Sequence, residues 1–271
     1  MFYFTIVNLE IIVEVIIHKY SKLKLMNSLR YYLVLALCAY VFTSWAYDFK
    51  VGGIFYNITS SSNPTGTVEV TYGDVKYSGL VKIPSYIYFE EKYYYVTKIG
   101  TYAFQECDSL INITLPESIT EIGNSAFLRC SRLSEIIIPN GVLTIAGSTF
   151  NRCTSLRSVS IPNSVTNISS NAFYRCKSLE SIVIPDKVTS IGNNVFYECE
   201  SLTSINIPNS VNHIGTNVFE GCSALTEVTV GCNWDTNPLY TFNENVSVKT
   251  SHCFEYGVCE DCGKQTTITV E

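Results

Sequence analysis

Six phenylalanines stand 23 residues apart: Phe104, Phe127, Phe150, Phe173, Phe196 and Phe219. Two more columns keep the same step. One is Cys107, Cys130, Cys153, Cys176, Cys199 and Cys222; the other is Leu110, Leu133, Leu156, Leu179, Leu202 and Leu225. A proline follows at Pro116, Pro139, Pro162, Pro185 and Pro208, with Gly231 in the sixth slot. A period held through six copies without an insertion calls for stacked coils, because one copy alone cannot bury its apolar side.

Each copy reads V-x-x-I-G-x-x-A-F-x-x-C-x-x-L-x-x-I-x-I-P-x-x. The stretch Leu202–Pro208, LTSINIP, alternates apolar and polar residues, which predicts a strand. Leu202, Ile205 and Ile207 should face inward, and Ser204 and Asn206 outward. Proline ends the strand because it cannot donate to a ladder. Val188–Ile191 reads as a second short extended piece turning at Gly192. The segment after it is expected to curl back as a 3₁₀ or single helical turn. The stack should be a β-rich α/β solenoid with a parallel sheet, its strands about 4.8 Å apart.

The 23-residue unit, with Phe-x-x-Cys-x-x-Leu and Ile-x-Ile-Pro, resembles the BspA-type leucine-rich repeat family over about half the chain, from Val96 to Val230. The flank Tyr47–Gly100 is similar to the segment that precedes such repeats in secreted proteins of Bacteroides type. The resemblance implies a right-handed leucine-rich-repeat solenoid in a secreted or cell-surface protein, and a role in adhesion to proteins or cells. It supplies no family-wide binding residue. Two copies depart from the pattern: Ala146-Gly147 replaces the usual Gly-x, and Ser169 replaces the glycine. Both should be tolerated where φ stays negative.

Residues 26–46 read as a secretory signal peptide. Arg30 precedes an apolar run from Tyr31 to Phe42, and Ser44-Trp45-Ala46 makes a small-x-small site. The run is short for a transmembrane helix, and no apolar tail precedes Glu271. Residues 1–25 read as an over-extended start with Met26 as initiator. Removing 1–46 leaves 14 basic and 22 acidic residues, a net charge of −8. That balance, without a basic run, argues against nucleic acid and anionic membrane as partners. Residues 47–95 are expected to form an N-terminal β cap, with GLVKIP (79–84) as a degenerate coil carrying a hairpin excursion. Residues 96–231 hold the six repeats, and 232–271 form a Cys-rich cap or tail.

The six repeated cysteines should be a buried, reduced ladder. Parallel Cβ vectors do not suit disulfide geometry, and a thiol packs as a small hydrophobe. The tail cysteines are irregular. Cys232, Cys253, Cys259 and Cys262, with His252, fit two disulfides in a secreted chain, a zinc site through the Cys259-x-x-Cys262 spacing, or neither. Zinc is the one cofactor this pattern suggests. No nucleophile–base set breaks the repeat symmetry, so no enzyme is expected. The Asn-x-Ser/Thr triplets at Asn57, Asn112, Asn167 and Asn245 read as accidents of an Asn/Ser-rich chain.

The outward strand positions define a candidate binding face: Asn112, Thr114, Glu135, Ile137, Ser158, Ser160, Ser181, Val183, Ser204, Asn206, Glu227 and Thr229. Small, mostly neutral residues suit close approach of a protein or glycan. Few aromatic or arginine anchors are present, which points to weak binding multiplied by avidity. The alternative is a structural spacer in a cell envelope or biofilm.

Overall fold

The computed structural model describes residues 47–62, 64–231, 247–251, 254–255 and 258–259, with side chains described for 47–230 apart from residue 63. The signal-peptide reading, the early start and most of the Cys-rich tail lie outside the described residues.

The described residues begin with strands β1 (Phe49–Val51), β2 (Ile54–Ser60) and β3 (Thr65–Thr71). The β1–β2 hairpin turns on Gly52 and Gly53, whose φ values of 58° and 84° suit a primed two-residue turn. Strands β4 (Gly79–Lys82), β5 (Tyr86–Phe89) and β6 (Lys92–Ile99) follow. The β5–β6 hairpin turns on Glu90 and Glu91, both at positive φ, which non-glycine residues seldom adopt. One sheet runs β1-β2-β3-β6-β5. Strand β4 leaves it and pairs in parallel with β7 (Leu110–Thr114), as a coil below the first repeat should.

Beyond β7 each copy except the fourth supplies two strands. The Ile-x-Ile pieces are β9 (Glu135–Ile137), β11 (Ser158–Ser160), β14 (Ser204–Ile207) and β16 (Glu227–Gly231). The Val-x-x-Ile pieces are β8 (Glu121–Ile122), β10 (Thr144–Ile145), β12 (Asn167–Ile168), β13 (Ser190–Ile191) and β15 (His213–Ile214). Among the six repeats the pairings are parallel at a step of 23 residues: Glu135 opposite Ser158, Asn167 opposite Ser190, Ser204 opposite Glu227. Strand β17 (Ser247–Ser251) adds to β16, and β18 (Phe254–Glu255) pairs with β19 (Val258–Cys259).

The Ile-x-Ile side is less continuous than a single sheet. It divides into β4-β7, β9-β11 and β14-β16-β17, and the fourth copy contributes only the bridge from Val183 to Asn206. Burial alternates all the same. Leu202, Ile205 and Ile207 are at most 4% exposed, whereas Ser204 and Asn206 face solvent.

The return segment differs from the expected 3₁₀ or helical turn. Among the described residues there is no helix of either kind. Each copy instead makes separate i→i+3 turns, such as Cys176 N–H to the Phe173 carbonyl. Two left-handed residues punctuate each of them: Ser125 and Arg129, Ser148 and Arg152, Asn171 and Arg175, Asn194 and Glu198. The reason lies between coils. Each left-handed residue points its amide at the next coil: Arg129 to the Asn151 carbonyl at 2.8 Å, Arg152 to Tyr174 at 2.7 Å, Asn171 to Asn193 at 2.9 Å. A continuous helical turn would keep those amides within the coil. The strain of about 1–2 kcal/mol per left-handed residue is offset by these bonds.

The core is a set of columns. Phenylalanine rings stack at centroid distances of 5.1 to 5.7 Å, all within 10° of parallel. Tyr77 continues the column at 4.6 Å from Phe104, and Phe55 lies 5.8 Å beyond it. The Tyr77 hydroxyl donates to the Thr71 carbonyl and accepts from the Phe55 amide.

The turn glycines are fixed by space. Gly123, Gly192 and Gly215 avoid positive φ, yet a Cβ at Gly192 would lie 2.4 Å from Ser170 N and one at Gly215 2.5 Å from Asn193 N. At these positions the amide bonds to the coil below, Gly192 N–H to Ile168 O and Gly215 N–H to Ile191 O, both at 2.8 Å. Ser169 keeps the bond, to Ile145 at 2.9 Å; by the same register it faces Gly147. Ala146 faces Asn124 and makes no such bond, and there β8 and β10 part into separate sheets. Negative φ alone, the condition set by the sequence, is therefore too weak a criterion: the close approach decides.

Candidate functional site

The outward strand residues form two columns. One runs Asn112, Glu135, Ser158, Ser181, Ser204 and Glu227; the other runs Thr114, Ile137, Ser160, Val183, Asn206 and Thr229. The parallel pairings set Glu135 beside Ser158, Ile137 beside Ser160, Val183 beside Asn206 and Asn206 beside Thr229. Most of these side chains are exposed. Asn112 is half-buried because its amide donates to the Glu135 carboxylate at 3.0 Å. Glu227 and Thr229 are half-buried where β17 joins β16. Ile137 and Val183 are 71% and 79% exposed, the two apolar projections on an otherwise polar field.

Both columns extend one coil further than the repeat alone suggests. Strand β4 sets Leu80 beside Asn112 and Lys82 beside Thr114. GLVKIP carries the signal, since its register is that of an Ile-x-Ile-Pro strand with the spacing to the first repeat broken by the hairpin. A second surface that repeat reasoning missed is the β5–β6 hairpin. Tyr86 pairs with Tyr95 and Tyr88 with Tyr93, and all four are about half exposed.

The cysteines lie inside the coils rather than on this face. All six are free and at most 1% exposed. Packing is only part of their role. Each thiol from Cys130 onward donates to the carbonyl of the phenylalanine 26 residues earlier: Cys130 to Phe104 at 3.0 Å, Cys176 to Phe150 at 3.1 Å, Cys222 to Phe196 at 3.0 Å. Burial pushes Cys107 and Cys222 up to about 12, and Cys176 and Cys199 well above the ordinary thiol range. These thiols are therefore neutral and poor nucleophiles.

Ion pairs also join residues 23 apart: Glu106 with Arg129 and Arg175 with Glu198 at 2.9 Å, Lys177 with Glu200 and Lys98 with Glu121 at 2.6 Å. Hydrogen bonding to Glu121 holds the Lys98 ammonium above its usual value. His213 lies exposed in β15, opposite Ser190. The side chains of Cys232, His252, Cys253, Cys259 and Cys262 lie outside the described residues. Among the described residues no cluster of metal-ligating side chains occurs, and no helix is long and apolar enough to cross a membrane.

The chain is similar to two solved bacterial proteins. One is a leucine rich cell surface protein of Faecalibacterium prausnitzii, with 28% identity and a TM-score of 0.53 over 67% of this chain and 54% of that one. The other is a leucine-rich repeat protein of Bacteroides ovatus, with 25% identity and a TM-score of 0.53 over 76% and 68%. The chain thus spans about half the length of the first. No curated protein matches it. The model of the BspA type leucine rich repeat region matches residues 83–199 and 158–269, with six copies, so it takes in all six 23-residue repeats. With most of its length matched, and with coils that pair in parallel at the repeat's own step, the chain belongs to the BspA-type leucine-rich repeat family.

Proposed function

We propose that this protein is an exported recognition module: a right-handed solenoid, capped by its N-terminal sheet, that binds protein or glycan components of other cell surfaces. Support comes from the outward face. Its two columns run from β4 to β16 with Lys82, Glu135 and Glu227 as their only charged members, and they place the exposed Ile137 and Val183 two coils apart among mostly small polar side chains. Repeat proteins commonly use such extended surfaces for binding. With no aromatic anchor on the columns, each contact is weak and affinity comes from several coils engaged together. The similarity to a leucine rich cell surface protein supports a surface location.

Pull-down of the chain against host matrix proteins and surface glycans tests this reading. Retention of a foreign component is expected, lost when Ile137 and Val183 are both changed to Asp. Cross-linking in intact cells that yields only self-partners would instead assign the chain a structural role.

A further inference from the structure

At the N-terminal end of the outward face, the β1–β2 turn and strand β4 border a cleft of about 280 Å³. Lys50, Lys76 and Lys82 line it, and no Asp or Glu does. This is unusual in a chain with a net charge of −6. Lys76 donates to the Gln105 carbonyl at 2.6 Å, and the Lys50 ammonium lies 4.4 Å from the centre of the Phe55 ring. None of the three lysines forms an ion pair among the described residues. An ammonium has three donors, so even Lys76 keeps two for a ligand. Positive charge in a concave site with apolar walls concentrates anions. The walls here include Leu80 and Val75, 79% and 61% exposed.

Strand β4 adds a directional element. It pairs with β7 on one side and has no partner strand on the other among the described residues. The Gly79 and Ile83 amides point at β7, donating to Ser109 and Thr114 at 2.7 and 3.0 Å. By the alternation of a strand, the Leu80 and Lys82 amides point to the open edge, where an added strand finds its hydrogen bonds.

We propose that this cleft and edge take an extended acidic peptide segment, which adds to β4 as a strand and sets its carboxylates among Lys50, Lys76 and Lys82. This deepens the recognition reading by naming the partner's chemistry, and it rests on that reading only for the partner being foreign. A sugar ring is the poorer fit, because the cleft's two aromatic residues, Phe55 and Tyr77, are 1% and 7% exposed and offer no open ring face. The chain's own first 46 residues have the wrong sign, with four Lys/Arg against two Glu.

The test uses the full chain and a labelled, capped decapeptide of alternating Glu and Val, followed by fluorescence polarisation. The acidic peptide is expected to bind on the order of tenfold more tightly than its Gln counterpart, and the Lys50→Gln, Lys76→Gln, Lys82→Gln triple variant to lose a similar factor. Leu80→Pro removes one open-edge amide, leaves the charges and spares the β7 bonds, so it should cost a comparable factor. Hydrogen exchange on the unaltered chain gives an independent readout: bound peptide slows exchange at Leu80 and Lys82. Undiminished binding by the triple variant overturns the proposal. So does unchanged exchange at both amides, or lysine-dependent binding of a heparin decasaccharide with the peptide silent. Surface components still captured by the triple variant would remove this site and leave the recognition reading standing. Lysine-dependent peptide binding by a chain that captures no foreign component would do the reverse.

Discussion

The coil stack and the N-terminal sheet bury similar residues by different rules. In the stack each core side chain packs on copies of itself, so Phe150 has a phenylalanine ring 5.4 Å away on either side, both within 10° of parallel. In the sheet no neighbour repeats. Phe49 stacks on Phe89 at 4.1 Å and meets Tyr56 and Tyr94 at 5.6 and 5.9 Å. The Tyr56 hydroxyl is buried without a hydrogen-bond partner, and desolvation raises its pKa. The stack solves one packing problem and reuses the solution. The sheet solves several at once and keeps an imperfect one. The join between them is Tyr77, which ends the phenylalanine column with a ring and ties it to the sheet with its hydroxyl.

The largest expected effect separates the two regions. Phe150→Ala and Phe49→Ala should each cost about 3–5 kcal/mol, since both remove a buried ring. Their reach should differ. In a quasi-one-dimensional stack, losing Phe150 weakens the coils on either side, and amide exchange should rise around Phe127 and Phe173. Losing Phe49 should raise exchange in β1, β2 and β6 and leave the coils beyond Phe127 protected. Uniform loss of protection from Phe49→Ala would show one cooperative unit and erase the distinction.

A smaller effect tests the spacing within the stack. Gly192→Ala puts a Cβ 2.4 Å from Ser170 N and 2.8 Å from Ser170 Cα, both backbone atoms of the coil below. A loss of about 1–3 kcal/mol is expected, as for other overpacked sites. Gly147→Ala meets its nearest atom at 3.2 Å, in the movable Asn124 side chain, and should change stability little. Denaturant titration of the two variants side by side measures the contrast. Equal losses would mean that backbone freedom, not close approach, selects glycine here.

The cysteine column comes next. Cys176→Ala should cost about 1–2 kcal/mol as a small cavity, while Phe150 O keeps the Cys153 amide as a partner. The thiols also set a pH dependence. Burial raises their folded pKa values above the ordinary thiol value of 9.0, with Cys107 and Cys222 pushed up to about 12. The unfolded chain therefore ionises first. The stability they give is complete below about pH 9 and is lost as pH rises toward 12. Melting temperatures should be level from pH 7 to 8.5 and fall above pH 9, and the fall should shrink in a variant with fewer column cysteines. Rapid labelling of the folded chain by a thiol reagent at pH 7.5 would contradict their burial.

The sequence made the columns legible because a period forces identical surroundings: once Phe, Cys and Leu recur at 23 residues, their burial and stacking follow. The strand faces followed too, since alternation in LTSINIP needs no tertiary knowledge. The turns did not follow. Which residues go left-handed depends on where the next coil's carbonyls lie, and Arg129 or Glu198 at positive φ has no local signature. The thiol-to-carbonyl bonds were equally hidden, because the acceptor sits 26 residues away on another coil. Of the candidate site, the two columns were readable and GLVKIP read as a degenerate coil, but Leu80 and Lys82 were not named as outward residues, since the hairpin of β5 and β6 interrupts the count.

The smallest effect concerns the one place where the repeat departs from itself. At Ala146 the ladder stops: β8 stays with the N-terminal sheet, and β10 begins the next. Ala146→Gly removes the Cβ and should let residue 146 bond to the Ile122 carbonyl, as Gly123 does to Ile99 at 2.8 Å. The new bond is worth about 1 kcal/mol, and the added backbone freedom costs about 0.5–1 kcal/mol, so stability should hardly move. Amide exchange at residue 146 should slow all the same, because exchange reads the bond rather than the balance. If the amide stays fast, Asn124 holds the coils apart there, and the boundary between the two regions is set by that side chain, whose carboxamide already accepts the Gly147 amide at 2.9 Å.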